Sequence, residues 1–275
     1  GIIHVKFSRQ LAELAELYVN DAFGAAHRAH ASISGVASLL PSVPGFLLEK
    51  EVTMLSKVMN GAENPRVAIV GGAKVADKLS LLKNLLKNMD VLIIGGAMAN
   101  TFLKARGLNI GQSVFEESLL TTARELLDIA RQRNTRLLLP VDVVVADHYA
   151  GDAEHRIVPV EQVPDGWMIL DIGPETVKTF RQYIEQARTV FWNGPMGVYE
   201  FEAFSCGTNG VAQAVASASA VSVVGGGDSL AAIYNLGLQN KITHISTGGG
   251  ATLEFLEGKR LPGLASCDFK QQMVG

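Results

Sequence analysis

The sequence holds little cysteine. Two residues, Cys206 and Cys267, in a chain of 275 cannot form the disulfide framework of a small secreted fold. They point to a reducing compartment, with the cytoplasm as the expected location. An excess of one charge is also missing, since 24 Lys+Arg stand against 27 Asp+Glu for a formal net charge of −3. No basic cluster is interleaved with aromatics, so nucleic acid is not an expected partner. No apolar run approaches the ~18 residues that a transmembrane helix needs, so no membrane is expected either. The opening Gly1-Ile2-Ile3-His4-Val5-Lys6 lacks a signal-peptide pattern and a methionine, as a processed or truncated chain would. Two phosphate-binding signatures are absent. There is no Gly-x-x-x-x-Gly-Lys-Ser/Thr, and no Gly-x-Gly-x-x-Gly follows a strand, which argues against a P-loop protein and a dinucleotide enzyme.

What remains is an aliphatic, glycine-rich chain. Hydrophobic residues make up 48% and charged residues 19%, which excludes a disordered or coiled-coil protein, while 7% aromatics with 28 glycines suit an aliphatic parallel sheet. Aliphatic runs at 67–70, 91–94, 136–139, 188–192, 221–224 and 242–245 read as buried strands separated by helix-compatible segments. Most of them end in glycine: Gly71-Gly72, Gly95-Gly96, Gly194, Gly225-Gly226-Gly227 and Gly248-Gly249-Gly250. Alternation of this kind predicts an α/β fold, a Rossmann-like doubly wound parallel six-stranded sheet with helices on both faces. Ligands of such sheets sit beyond the carboxyl ends of the strands, so the glycine turns predict a nucleotide-sized crevice there. Ahead of this region, residues 8–19 and 46–59 carry helical spacing, and Pro41, Pro44 and Gly45 mark the loop between them.

Within Val70-Gly71-Gly72-Ala73-Lys74-Val75-Ala76-Asp77-Lys78 the glycines read as a tight turn and Lys74 onward as a helix start. Backbone amides and a helix N-terminus would then face an anion, with Lys74 and Lys78 on one helix face. On its own such a pattern is more often a plain strand–helix turn. In Trp192-Asn193-Gly194-Pro195, Asn193 could meet a phosphate, and Glu200 further on could accept from ribose hydroxyls; the bland reading is a turn asparagine and a solvated glutamate. Asp228 after Gly225-Gly226-Gly227 is placed as a helix cap, or as a Mg²⁺ carboxylate opposite phosphates. Among His27-Arg28-Ala29-His30, Arg28 as an anion contact is a better reading than a two-histidine metal site.

Taken together these segments resemble phosphoglycerate kinase. The resemblance rests on Tyr18-Val19-Asn20-Asp21-Ala22-Phe23-Gly24, Ala26-His27-Arg28-Ala29-His30, Gly71-Gly72-Ala73-Lys74-Val75 with Asp77-Lys78, Trp192-Asn193-Gly194-Pro195, Gly225-Gly226-Gly227-Asp228 and Ser246-Thr247-Gly248-Gly249-Gly250-Ala251. It implies a phosphotransferase of glycolysis that moves a phosphoryl group between 1,3-bisphosphoglycerate and ADP, giving 3-phosphoglycerate and ATP, with Mg²⁺ as cofactor and a monomeric state. Lys74, Gly226 and Gly249 are then the implied catalytic positions. Gly72, Lys74, Lys78, Gly95 and Asn193 would contact the nucleotide, as would Glu200, Gly226, Gly227, Asp228 and Ser229. Asp228 would serve the metal and Arg28 the substrate. The implied partition is a remnant of the 3-phosphoglycerate-binding α/β domain over 1–45 and an interdomain helix over 46–60. A nucleotide-binding domain over 61–250 and a C-terminal helix and tail over 251–275 complete it. Departures accompany the resemblance: most of the N-terminal substrate half is absent, Ile169 stands where relatives can have glycine near the base, and the tail from about Leu264 does not follow the family. The alternative is a catalytically weak nucleotide-binding module derived from the kinase.

Overall fold

A computed structural model of the chain describes residues 5–60 and 63–267. The expected departure of the tail from the family falls largely outside the described residues. Two compact units divide the chain, one of residues 1–61 with 246–275 and the other of residues 62–245.

The first unit begins with helix α1 (Val5–Ala12), which ends before strand β1 (Tyr18–Asn20), so the helical spacing over 8–19 covers two elements. After a turn of π-helix at Ala31–Gly35, strand β2 (Ser42–Pro44) pairs in parallel with β1. Helix α2 (Phe46–Met59) follows as expected. It buries Leu48, Glu51, Val52, Leu55, Val58 and Met59, a three-and-four spacing that lines one face. Asp21 fixes its start by accepting from Leu47 N at 2.7 Å and Leu48 N at 3.1 Å.

In the second unit the chain runs through β3 (Arg66–Val70), α3 (Leu79–Asn88), β4 (Val91–Ile94), α4 (Ala97–Ala105), α5 (Leu120–Gln132) and β5 (Arg136–Leu138). It continues through β6 (Asp142–Ala146), β7 (His155–Pro159), β8 (Met168–Ile172), α6 (Pro174–Gln186) and β9 (Thr189–Asn193). Helix α7 (Cys206–Ser217), β10 (Val221–Gly225), α8 (Gly227–Asn235) and β11 (His244–Ile245) complete it. The six expected strands form one parallel sheet in the order β11-β10-β9-β3-β4-β5. Strands β3 to β5 step one way from the centre and β9 to β11 the other. The topological switch point therefore lies between β3 and β9.

Side chains alternate across a strand, and both sets are buried here. Val67, Ile69, Val190 and Trp192 pack with Phe180, Ile184, Val211, Val215 and Ile233 from α6, α7 and α8. The intervening Ala68, Val70, Leu92, Ile94 and Phe191 are as deeply buried, so the sheet is covered on both faces.

One element was not anticipated. Residues 142–172 form a three-stranded antiparallel sheet, β7-β6-β8, with an irregularity at Val144/Val145. The sequence pattern predicts helix-compatible ground between the third run, 136–139, and the fourth, 188–192. Outer strand β7, His155-Arg156-Ile157-Val158-Pro159, is mostly exposed, so it carries no apolar run. The chain returns to the first unit with α9 (Gly250–Leu256) and α10 (Pro262–Ala265). The segment from Ser246 thus folds with residues 1–61, whereas the sequence-based partition grouped 246–250 with the nucleotide-binding domain.

Candidate functional site

Register places four strand ends in one row. Val70 is the Cα partner of Ile94 and of Asn193, and Asn193 of Gly225, so the glycine turns after β3, β4, β9 and β10 lie side by side. Backbone bonds lock these turns together: Gly71 N donates to Asn193 O at 2.9 Å, Gly72 N to Pro195 O at 3.1 Å, and Gly96 N to Met196 O at 2.9 Å. Such close approach requires glycine. A Cβ on Gly96, where φ is +70°, would stand 2.6 Å from both N and O of Gly72.

Lys78 sits at the junction. Its Nζ donates to Gly71 O at 2.7 Å and to Asn193 Oδ1 at 2.8 Å, with Asn193 O at 3.3 Å. Burial lowers its pKa to about 8, while the charges of Asp228 and Asp77 act the other way. At neutral pH it is therefore a partly desolvated ammonium fixed between two turns. Buried Asn193 supports it, and a Cβ on Gly226 would come within 3.0 Å of Asn193 Nδ2. Ser229, fully buried, accepts from Gly194 N at 2.7 Å. Gly227 and Asp228 stand exposed at the start of α8.

A cleft of about 330 Å³ opens over this edge. The sheet side contributes Gly72, Gly96, Pro195, Met196 and Asp228; the antiparallel sheet contributes Val143, Ile169, Leu170, Asp171 and Ile172. Tyr149 and Glu200 stand on its rim, the Tyr149 hydroxyl donating to Glu200 Oε1 at 2.8 Å. Gly72, Glu200 and Asp228 thus line the cleft, and Lys78, Asn193, Gly226 and Ser229 form the wall behind it. Gly95, whose added Cβ would lie 3.0 Å from Met196 Cε, packs that wall.

Other candidate residues lie elsewhere. Lys74 is exposed and does not line the cleft. Arg28 and Gly249 belong to the unit of residues 1–61 and 246–275. There Arg28 Nε donates to His27 Nε2 at 3.3 Å, and Gly249, at φ +51°, precedes α9.

Three local expectations are corrected. Helix α3 begins at Leu79 after a 3₁₀ turn at Ala76–Lys78, so Lys74 and Lys78 do not share a helix face. The amides of that loop are engaged by protein: Glu116 Oε2 accepts from Val75 N at 2.5 Å and Ala76 N at 3.3 Å, and Gly72 N is bound as above. An intramolecular carboxylate holds the place given to an external anion. Asp228 is not the cap of α8, because Gly226 takes that position and Asp228 falls in the first turn without a capping bond.

The antiparallel wall escaped sequence reasoning, and with it Asp171. This buried carboxyl accepts from Ile172 N and Gly207 N, each at 2.8 Å. Burial raises its pKa to about 7, against the lowering effect of those two bonds. Asn100, also buried on the cleft, donates to Val114 O at 3.1 Å, and its Oδ1 finds no partner among the described residues. The aliphatic run Val143-Val144-Val145-Ala146 in β6 is a signal that could have revealed this wall.

A family model described as phosphoglycerate kinase matches residues 3–259. The chain belongs to the phosphoglycerate kinase family. It is 58% identical over 260 residues to a phosphoglycerate kinase of Moorella thermoacetica, covering 94% of this chain and 66% of the relative. A phosphoglycerate kinase of Rubrobacter xylanophilus is 58% identical over 259 residues, with coverage of 94% and 65%. Among solved structures, phosphoglycerate kinase from Coxiella burnetii superposes with a TM-score of 0.92 at 46% identity, over 96% of this chain and 68% of that one. The chain spans about two thirds of the length of the curated relatives it matches. In this member of the family, the motifs at 71–78, 192–195 and 225–229 meet at one sheet edge, while those at 18–30 and 246–251 fold in the other unit.

Proposed function

We propose that the chain binds MgADP and MgATP in the cleft of the 62–245 unit. We infer that it acts there as a phosphoglycerate kinase, a monomer of cytoplasmic glycolysis exchanging a phosphoryl group between 1,3-bisphosphoglycerate and ADP to give 3-phosphoglycerate and ATP. The observation that carries this reading is the Lys78 ammonium, held by Gly71 and Asn193 at the switch point of a parallel sheet. A lysine charge fixed among glycine turns favours phosphate, and phosphoryl transfer depends mostly on positioning and charge neutralisation.

In this reading Asn193, Gly226, Gly227 and Ser229 shape the phosphate end, with Gly72 and Gly95 holding the turns apart from side chains. Glu200 accepts from the ribose hydroxyls. Lys74, exposed on its loop, follows the transferred phosphoryl group, with Gly226 and Gly249 as further transfer positions and Arg28 as a substrate contact. Magnesium fits the donor set. Asp228 offers one exposed carboxylate, and no group of three His, Cys, Asp or Glu that could hold a metal occurs among the described residues. That suits a cation bound through one carboxylate and the nucleotide's own phosphates, whose charge it neutralises. No described helix is long and apolar enough to cross a membrane.

Calorimetric titration with MgADP, alongside a coupled assay and light scattering for mass, tests the proposal. Saturable binding with turnover is the expected result. Binding without turnover would favour the second reading, a nucleotide-binding module of low activity. Absence of MgADP binding would overturn both.

A further inference from the structure

The proposed ribose acceptor is not left to solvent. Glu200 follows β9 on an exposed loop, and an exposed carboxylate on a loop ordinarily samples several rotamers. Here a second loop reaches across to it. Tyr149, three residues beyond the end of β6, donates its hydroxyl to Glu200 Oε1 at 2.8 Å. Among the described residues it is the only side chain hydrogen-bonded to Glu200.

Tyr149 is itself held. Its ring packs edge-to-face on Phe201, with centroids 5.2 Å apart, and Phe201 packs in turn on buried Phe204 at 6.5 Å. The ring is 55% exposed, so it contributes little to the core, and it faces the cleft that Glu200 and Asp228 also line. The bond to Glu200, followed by partial burial, raises the tyrosine pKa, so the hydroxyl keeps its proton and remains the donor. A carboxylate has about four lone-pair sites, and the tyrosine occupies one of them, on Oε1. Oε2 stays open to a second donor pair.

We propose that Tyr149 is a positioning and specificity residue for the sugar of the bound nucleotide, holding Glu200 so that its carboxylate accepts from the vicinal hydroxyls of ribose. The inference rests on the reading of the cleft as a nucleotide site. It goes beyond that reading because it assigns sugar recognition to a pair of residues on two different loops. Without the tyrosine hydroxyl, Glu200 must be ordered at the moment of binding, and that entropy is subtracted from affinity. The loss concerns only ligands that bear the hydroxyls.

Calorimetry on the full chain with MgADP and with Mg-2′,3′-dideoxyADP separates the possibilities. In the unsubstituted protein ADP should bind more tightly than the dideoxy analogue. Tyr149→Phe, which keeps the ring and its contact with Phe201, should weaken ADP by about fivefold and leave the dideoxy analogue unchanged. Glu200→Gln should reduce the same preference, and the double variant should lose no more of it than the more affected single variant. Equal weakening of both ligands by Tyr149→Phe, or no change in their ratio, would overturn the proposal. Failure of the unsubstituted protein to bind MgADP would instead overturn the nucleotide reading beneath it. A thermal melt of Tyr149→Phe matching the unsubstituted chain confirms that a changed ratio reflects recognition.

Discussion

Lys78 and Asp171 are charges of opposite sign in similar surroundings, and burial moves both towards their neutral forms. Lys78 stays mostly charged at pH 7 because burial takes it only to about 8, whereas Asp171, carried from 3.8 to about 7, straddles neutrality. For Asp171 the folded state holds its proton more tightly than the unfolded chain does. Its contribution to stability is therefore fully present below about pH 4 and is lost as pH rises through 7. Asparagine cannot titrate. The stability margin of the unsubstituted protein over Asp171→Asn should thus narrow between pH 4 and 7, by on the order of 1 kcal/mol for each pH unit crossed. Urea unfolding of both proteins at pH 5, 6, 7 and 8 checks this; a constant margin would contradict it. Lys78 was visible in the sequence through the glycines beside it. Asp171 was not, since an aspartate in a strand shows its burial only after Gly207 and Ile172 have closed around it.

At the scale of elements, α6 begins where a distant strand provides its cap. Asp142, the first residue of β6, accepts from Thr176 N at 2.7 Å and Glu175 N at 3.1 Å, and Thr176 Oγ1 donates back to Asp142 Oδ1 at 2.6 Å. The residue before the helix is Gly173, which has no capping side chain. Replacing Asp142 by alanine strands buried amides at the helix N-terminus and should cost about 2–3 kcal/mol in urea unfolding. A cost below about 0.5 kcal/mol would show that water replaces the carboxylate. The same contrast separates what was readable among the elements. Strands β3, β4, β9 and β10 announce themselves as aliphatic runs closed by glycine. The loop over 72–78 reads in sequence as a helix start, but Glu116 accepts from the amides of Val75 and Ala76, and the helix begins only at Leu79.

For the whole chain, one buried carboxylate is bonded at the point where residues 246–267 return to the N-terminal unit. Glu51 on α2 accepts from Ser246 Oγ at 2.9 Å, Thr247 N at 2.7 Å and Thr247 Oγ1 at 3.0 Å. Nearby, Gly263 N donates to Ala26 O at 2.8 Å and Asn20 Nδ2 to Gly263 O at 3.3 Å. Glu51→Ala removes the shared acceptor and should destabilise this unit by about 3 kcal/mol. Hydrogen exchange should then quicken across 246–256 and in α2 while β3, β4 and β9 keep their protection. Unchanged exchange in 246–256 would show that packing alone holds the segment.

The six parallel strands, their glycine turns, helix α2 and the family are legible in the sequence, because each is written in short runs of neighbouring residues. Tertiary structure alone decided what those turns face. The partners are far apart along the chain: Val75 and Glu116 are separated by 41 positions, Tyr149 and Glu200 by 51, and Glu51 and Ser246 by 195. Local propensity carries no information about which carboxylate will reach which amide or hydroxyl across such distances. Only the packed sheets bring them within hydrogen-bonding range, and the antiparallel wall of the cleft came into view with them.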